Sequence, residues 1–178
     1  MKLKLISLPL FFVFFATLYG CNEAGEQRLG RSTPLDEICK LQMSFSGEIT
    51  DDLDWGTNEG CGGGTSQNDM VEIAFGNTST TLNIIITIFD LVEEETNVSK
   101  SAQAKIYYKA DGRTWETASG SCTVAISENA LISSYPNTNT YAVAGSVSCN
   151  TAAQPDTNTG ATSAIIIDDS TFRTMVAW

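Results

Sequence analysis

The sequence predicts an all-β domain, either a single antiparallel β-sandwich or, as the alternative, a closed β-barrel, with about nine strands stapled by disulfides. Apolar and polar residues alternate along most of the chain, which is the period of a half-buried strand. The best helix candidate, residues 92–105, contains poor helix formers at positions 96–99, so we expect a loop there with one turn at most. Four of the five cysteines follow residue 37, an even number that suits two disulfides.

The predicted strands are separated by turn-forming residues. Residues 41–49 carry apolar side chains on one face, and residues 82–89 are apolar on both faces, which predicts a strand in the centre of the sheet. Asp111 and Gly112 favour the positive φ angles of a tight hairpin, with Trp115 on the return strand. The remaining predicted strands are residues 71–75, 102–108, 121–126, 141–149, 164–167 and 171–176.

The cysteines predict which strands are joined. Cys122 and Cys149 each share the face of the large apolar residues in their strands, so a bridge between them would lie in the core. We therefore expect Cys122 to pair with Cys149 and, by subtraction, Cys39 with Cys61, although four cysteines permit two other pairings. No C-x-x-C spacing is present, which favours disulfides over a Cys₄ zinc site.

Residues 1–20 have the parts of an export signal: a basic start, an apolar run at 5–18, and a small residue before Cys21. The apolar run is shorter than the roughly 20 residues that span a bilayer. The sequence Leu18-Tyr19-Gly20-Cys21 resembles the lipobox of bacterial lipoproteins, and the resemblance covers the first 21 residues. It implies cleavage before Cys21, a diacylglyceryl thioether on its sulfur and an N-acyl chain such as palmitate, which together anchor a protein stably.

This resemblance implies a domain organisation and a location. Residues 1–20 would be the signal peptide, residues 21–36 a polar, flexible tether, and residues 37–178 the folded domain. The protein would be held at the cell envelope by the lipid on Cys21. In a cell with two membranes, Asn22 resembles the residue of lipoproteins sent to the outer membrane.

The charge of the chain limits its partners. Loss of residues 1–20 removes Lys2 and Lys4, so the formal net charge changes from −11 to −13. This charge repels phosphate backbones and anionic headgroups, so we expect no nucleic-acid partner and attribute membrane attachment to the lipid. The chain contains no histidine, which excludes Ser-His-Asp and Cys-His catalysis.

Two polar segments are candidates for a metal or phosphate site. Asp51, Asp52 and Asp54 gather oxygen atoms that Ca²⁺ would accept, but their spacing is not that of an EF-hand. A solvated loop is the favoured interpretation, and we expect no cofactor. The glycine run at 62–64 lacks the Lys-Ser/Thr of a phosphate-binding loop, so we expect flexible spacing around Cys61.

The tryptophans offer a second kind of candidate. Trp55 and Trp178 could stack on a sugar, whereas Trp115 is expected in the core. The function we expect is that of a membrane-anchored envelope lipoprotein that is not an enzyme and whose β domain binds or scaffolds a protein or carbohydrate ligand. An apolar-ligand carrier, suggested by strand 84–89, and a glycoside hydrolase that uses carboxylates such as Asp51 and Asp54 are the alternatives.

Overall fold

The computed structural model describes residues 38–66 and 70–178; the signal segment, Cys21 and the tether lie outside these residues. Strands make up 64% of the structure, which confirms the all-β prediction. The strands are β1 (Lys40–Gly47), β2 (Asp51–Trp55), β3 (Cys61–Ser66), β4 (Met70–Phe75), β5 (Leu82–Phe89), β6 (Val98–Tyr108), β7 (Arg113–Glu116), β8 (Cys122–Tyr135), β9 (Thr138–Cys149), β10 (Gln154–Pro155), β11 (Ile165–Ile167) and β12 (Ser170–Ala177). None of the described residues belongs to a helix long and apolar enough to span a lipid bilayer.

Seven of these strands close into a barrel in the order β3, β4, β5, β6, β8, β9, β12, with β12 returning to β3. Every neighbouring pair in this ring is antiparallel except β12 with β3, which is parallel and joins Val176 to Gly63 and Ala177 to Gly64. Of the two arrangements that the sequence predicts, the closed barrel is the one present. Closure leaves the seven strands of the ring without the open edges of a flat sheet.

The other five strands extend this barrel. β1 lies beside β12 and β11 on one side and beside β2 on the other. β7 pairs with the second half of β6, and β10 pairs with β7. The last two predicted strands are present as β11 and β12, but they do not pair with each other because they lie one after the other along the same side of β1.

The barrel interior is filled by apolar side chains. On β5, alternate residues point inward and are at most 1% exposed: Leu82, Ile84, Ile86 and Ile88. The side chains that face Ile84, Ile86 and Ile88 from the neighbouring strands β4 and β6 are equally buried. β5 is hydrogen-bonded on both sides, as its apolar sequence predicts.

Two segments that were expected to be loops are strands. The acidic segment at residues 51–55 is β2, and the glycine run lies inside β3, so the prediction of flexible spacing around Cys61 is wrong. A Cβ on Gly63 would lie 2.8 Å from the carbonyl oxygen of Glu72 and 3.1 Å from Val176 Cγ2. The glycine therefore allows β4 and β12 to approach β3 where the barrel closes.

The two disulfides are the expected ones: Cys122 with Cys149, which strand alternation favoured, and Cys39 with Cys61, which followed by subtraction. Cys122 is fully buried and lies directly opposite Cys149 in the β8–β9 ladder. Cys39 precedes β1 and is bonded to Cys61, the first residue of β3. This second bridge lies where the neighbour of β12 changes from β1 to β3.

The loop between β5 and β6, residues 90–97, covers one end of the barrel. The side chain of Asn129 donates a hydrogen bond of 2.9 Å to the carbonyl oxygen of Val92. The hydroxyl of Tyr141 donates one of 2.8 Å to the carboxylate of Glu93. Burial, together with the neighbouring Glu93 charge, raises the pKa of Tyr141 to about 12. These contacts fix the loop over the barrel end.

Candidate functional site

A trough of about 820 Å³ crosses the outer face of the barrel. Its floor is a row of directly opposed residues, one from each of six neighbouring strands: Ser99, Ala125, Ser146, Thr171, Gln42 and Asp54. Because neighbouring strands lie about 4.8 Å apart, this row is about 24 Å long. The trough runs across the strands and not along them.

The trough exists because the outward positions of its central strands carry small side chains. On β8, Val124 and Ile126 point into the barrel and the intervening Ala125 points out. A β-bulge follows between Ile126 and Glu128, and such bulges bend and twist a strand. Gly145 faces this bulge from β9, where a Cβ would lie 2.3 Å from the carbonyl oxygen of Ala125. Alternation, the bulge and one glycine thus shape the floor.

A salt bridge forms one wall. Arg173 Nε lies 2.8 Å from Glu128 Oε2, and Arg173 Nη2 lies 2.9 Å from Glu128 Oε1. Both residues are register partners of Ala144, so the pair reaches across β9 above a methyl group. Lys40 of β1 lies directly opposite Arg173 of β12 and has no ion-pair partner within the described part of the chain. The bidentate geometry of the Arg173–Glu128 pair holds these two side chains in place.

Polar groups line the rest of the trough. Thr171 Oγ1 donates to Gln42 Oε1 over 3.3 Å, and Gln42 Nε2 lies 3.5 Å from Asp54 Oδ1. Ser99 and Ser146 are exposed at the floor. Hydroxyl and amide groups both donate and accept hydrogen bonds, so this surface suits a polar ligand of mixed donors and acceptors.

The candidate metal ligands lie in a second depression of about 500 Å³ between β2 and the β4–β5 turn. Because side chains alternate along β2, Asp52 and Asp54 share one face of the strand and Asp51 points to the other. No group of three or more His, Cys, Asp or Glu side chains that could hold a metal ion occurs among residues 38–66 and 70–178. The geometry gives the calcium hypothesis no support.

The three tryptophans do not form a stacking platform. Trp115 is fully buried, as expected, and its Nε1 donates a hydrogen bond of 2.8 Å to the carbonyl oxygen of Ser163. Trp55 is half-buried at the acidic depression. Trp178 is half-buried and packs edge-on against Tyr141, with 5.1 Å between ring centroids. The three rings lie at separate places, on β2, on β7 and directly after β12, and do not form one flat surface.

The carboxylate with the most perturbed pKa lies outside both depressions. Glu48 accepts hydrogen bonds from the backbone N–H groups of Ser163 and Thr162, at 2.6 and 2.7 Å, and pairs with Arg113 at 2.6 Å. These contacts, led by the Ser163 hydrogen bond, lower the pKa of Glu48 to about 2. Arg113 follows the predicted hairpin, whose Gly112 has a φ of 81°. The cluster ties this hairpin to residues 162–163.

A partial signal for the trough is present in the sequence. The outward positions of residues 121–126 and 141–149 are small throughout, being Ser, Thr or Ala. By itself, this pattern indicates only which residues of each strand point into the core. Which strands lie side by side decides whether small residues form a continuous row, and the order β6, β8, β9, β12, β1, β2 does not follow the chain.

No protein-family model matches this chain, and neither a curated protein nor a solved structure matches it.

Proposed function

We propose that this chain is a lipid-anchored protein of the cell envelope whose barrel binds a ligand in the trough and performs no chemistry on it. The observation that carries the binding role is the trough itself, a row of exposed, mostly polar side chains across six strands with a fixed salt bridge along one side. The anchor rests on the lipobox-like Leu18-Tyr19-Gly20-Cys21. In a cell with two membranes, the protein would be held at the outer membrane.

The filled barrel interior favours this proposal over an apolar-ligand carrier. Side chains that line a cavity have solvent-accessible surface, and Ile73 of β4, Ile86 of β5 and Ala104 of β6, in the middle of the interior, have none. The trough and the acidic depression both lie outside the barrel interior.

The placement of the carboxylates likewise disfavours a glycoside hydrolase. Such enzymes hold two carboxyl groups about 5 to 10 Å apart across a cleft. Asp51 and Asp54 are three positions apart on one strand and therefore point to opposite faces of β2. Asp54 alone reaches the trough.

The shape of the trough indicates the form of its ligand. A floor about 24 Å long suits an extended chain better than a compact molecule. The short hydroxyl side chains and Gln42 offer hydrogen bonds, and the floor has no exposed aromatic ring. A segment of glycan or of extended peptide with hydrogen-bonding groups along its length fits these features.

The anchoring half of the proposal is tested in cells. Metabolic labelling with an alkynyl palmitate should label the wild-type protein and leave Cys21→Ser unlabelled, with the wild type in the membrane fraction. A wild-type protein that takes up no label while remaining in the membrane fraction would refute lipid anchoring.

The binding half is tested by amide NMR of the mature chain with soluble peptidoglycan fragments, which present both a glycan and a peptide chain. Shifts should concentrate at Ser99, Ser146 and Thr171. Ser146→Trp fills the floor and should abolish them, while Ser148→Trp, also exposed on β9 but outside the trough, should leave them unchanged. Shifts that persist in Ser146→Trp, or that map to another face, contradict the assignment of the trough.

A further inference from the structure

The β8–β9 hairpin projects beyond one end of the barrel. Its ladder continues to Tyr135 opposite Thr138, whereas the pairing of β8 with β6 stops at Ile126 and that of β9 with β12 stops at Thr140. At about 3.3 Å per residue, the tip stands about 10 Å past the last residue pair with β12. The hairpin tip thus extends beyond the paired parts of β6 and β12 at this end.

The projecting part of this hairpin is uncharged in an acidic protein. Residues 129–143 are fifteen consecutive positions without Asp, Glu, Lys or Arg, in a chain of net charge −11. Tyr135 is 70% exposed and Leu131 47% exposed, and Val92 of the adjoining loop is 57% exposed. Three of the five exposed large apolar side chains of the described residues therefore lie at this end. The other two, Tyr107 and Ile166, lie toward the opposite end of their strands.

The chain enters the barrel from the hairpin end. β12 runs toward that end, and β1 is antiparallel to β12, so β1 runs away from it. The residues immediately before β1 lie on the hairpin side, where Cys39 is held by its bond to Cys61. Cys21 is seventeen residues before Ile38, a distance that the chain can span over at most about 60 Å. With the proposed lipid on Cys21, this end of the barrel lies within that reach of the bilayer.

We propose that the tip of the β8–β9 hairpin docks on the lipid surface that holds the Cys21 anchor, with Tyr135 and Leu131 at the headgroup boundary. The inference rests on the lipid anchoring proposed above and adds a second, protein-made contact. Tyrosine is favoured at membrane interfaces because its ring is apolar and its hydroxyl stays hydrated. An uncharged hairpin can approach the boundary without burying a charge.

The same end also carries charges that select the lipid. Glu93 and Glu94 are exposed in the loop beside Val92, and the carboxylate of Glu93 also accepts the hydrogen bond from Tyr141. These carboxylates repel anionic headgroups over about 10 Å at moderate salt. Docking should therefore be stronger on phosphatidylcholine than on phosphatidylglycerol at low salt, and the difference should disappear at high salt.

The test is hydrogen–deuterium exchange of the lipidated full chain in phosphatidylcholine vesicles, compared with the unlipidated Cys21→Ser mature chain without vesicles. Amides of residues 131–137 should exchange at least about tenfold more slowly on the vesicles, since burial of two large side chains favours the docked state by that order. Tyr135→Ser combined with Leu131→Ser should abolish this slowing. Tyr107→Ser, also an exposed tyrosine, is the matched control and should retain it.

The other possible results distinguish a failure of hairpin docking from a failure of lipid anchoring. A chain that floats with the vesicles but whose hairpin exchanges as fast as in solution overturns docking and leaves the lipid anchor intact. Slowing that depends on protein concentration and not on lipid shows hairpin pairing between copies, which also overturns docking. A wild-type chain that carries no lipid overturns the anchoring proposal and removes the basis of docking.

Discussion

Replacement of Ile86 by Ala tests whether the barrel interior is a packed core. Ile86 is fully buried in the middle of β5, directly between Ile73 of β4 and Ala104 of β6, which are also fully buried. The change removes three carbon groups, worth about 2.4 kcal/mol at about 0.8 kcal/mol each. The cavity left in rigid surroundings brings the expected loss to about 3–4 kcal/mol. For a chain of this size that corresponds to a fall in Tm of about 6–16 °C.

The assay is urea and thermal unfolding of the mature chain with both disulfides intact. Ile85→Ala is the control, because Ile85 is the next residue on the same strand, points outward and is half-buried. Its loss should cost less than half as much. If Ile86→Ala costs no more than Ile85→Ala, the interior is loosely packed, and the argument against an apolar-ligand carrier fails.

Three further changes test the contacts that hold the barrel in shape. Glu48 has a pKa of about 2 against an ordinary 4.5, so its carboxylate stabilises the fold above about pH 4.5 and loses that effect as the pH falls toward 2. Glu48→Gln should therefore lower Tm at neutral pH. A difference in Tm between wild type and variant that stays the same near pH 2 would contradict this. Changing Cys122 and Cys149 together to Ser opens a bridge with a sequence separation of 27 and should cost about 3.5 kcal/mol in urea unfolding; a loss below about 1 kcal/mol would contradict this. Gly145→Ala should cost about 1–3 kcal/mol because its Cβ meets β8, whereas Gly62→Ala, with no atom within 4 Å of its Cβ, should be nearly neutral; equal losses would refute the steric argument.

Much of the fold follows from the sequence because alternation specifies strands locally. The inward positions of β5, the hairpin at Gly112 and the bridge between Cys122 and Cys149 are each determined by residues near one another or by a shared face. β2 and β3 were missed for a physical reason. Asp and Gly have low strand propensity, and their pairing is imposed by the neighbours β1 and β4.

The barrel itself could not be derived from the sequence, because closure depends on contacts between distant strands. The ring closes through two residue pairs of β12 and β3, more than a hundred positions apart. Small outward residues identify strands that tolerate close approach, but only the strand order turns them into one row. The trough is therefore a product of topology, and the local pattern that permits it is common to many exposed strands.

β1 connects the trough to the residues that precede it in the sequence, where the lipid anchor is proposed. Lys40 and Gln42 of β1 complete one end of the trough, and Cys39 immediately before them is bonded to Cys61 of β3. The bridge thus fixes the start of β1, a strand that shapes the site, against β3. Since the strands run from the hairpin end to the opposite end, a trough that crosses them lies parallel to the membrane when the hairpin end faces it. An extended ligand would then bind along the membrane plane. Because the Cys39–Cys61 bridge holds the start of β1, its reduction should weaken ligand binding in the trough more than it weakens lipid anchoring.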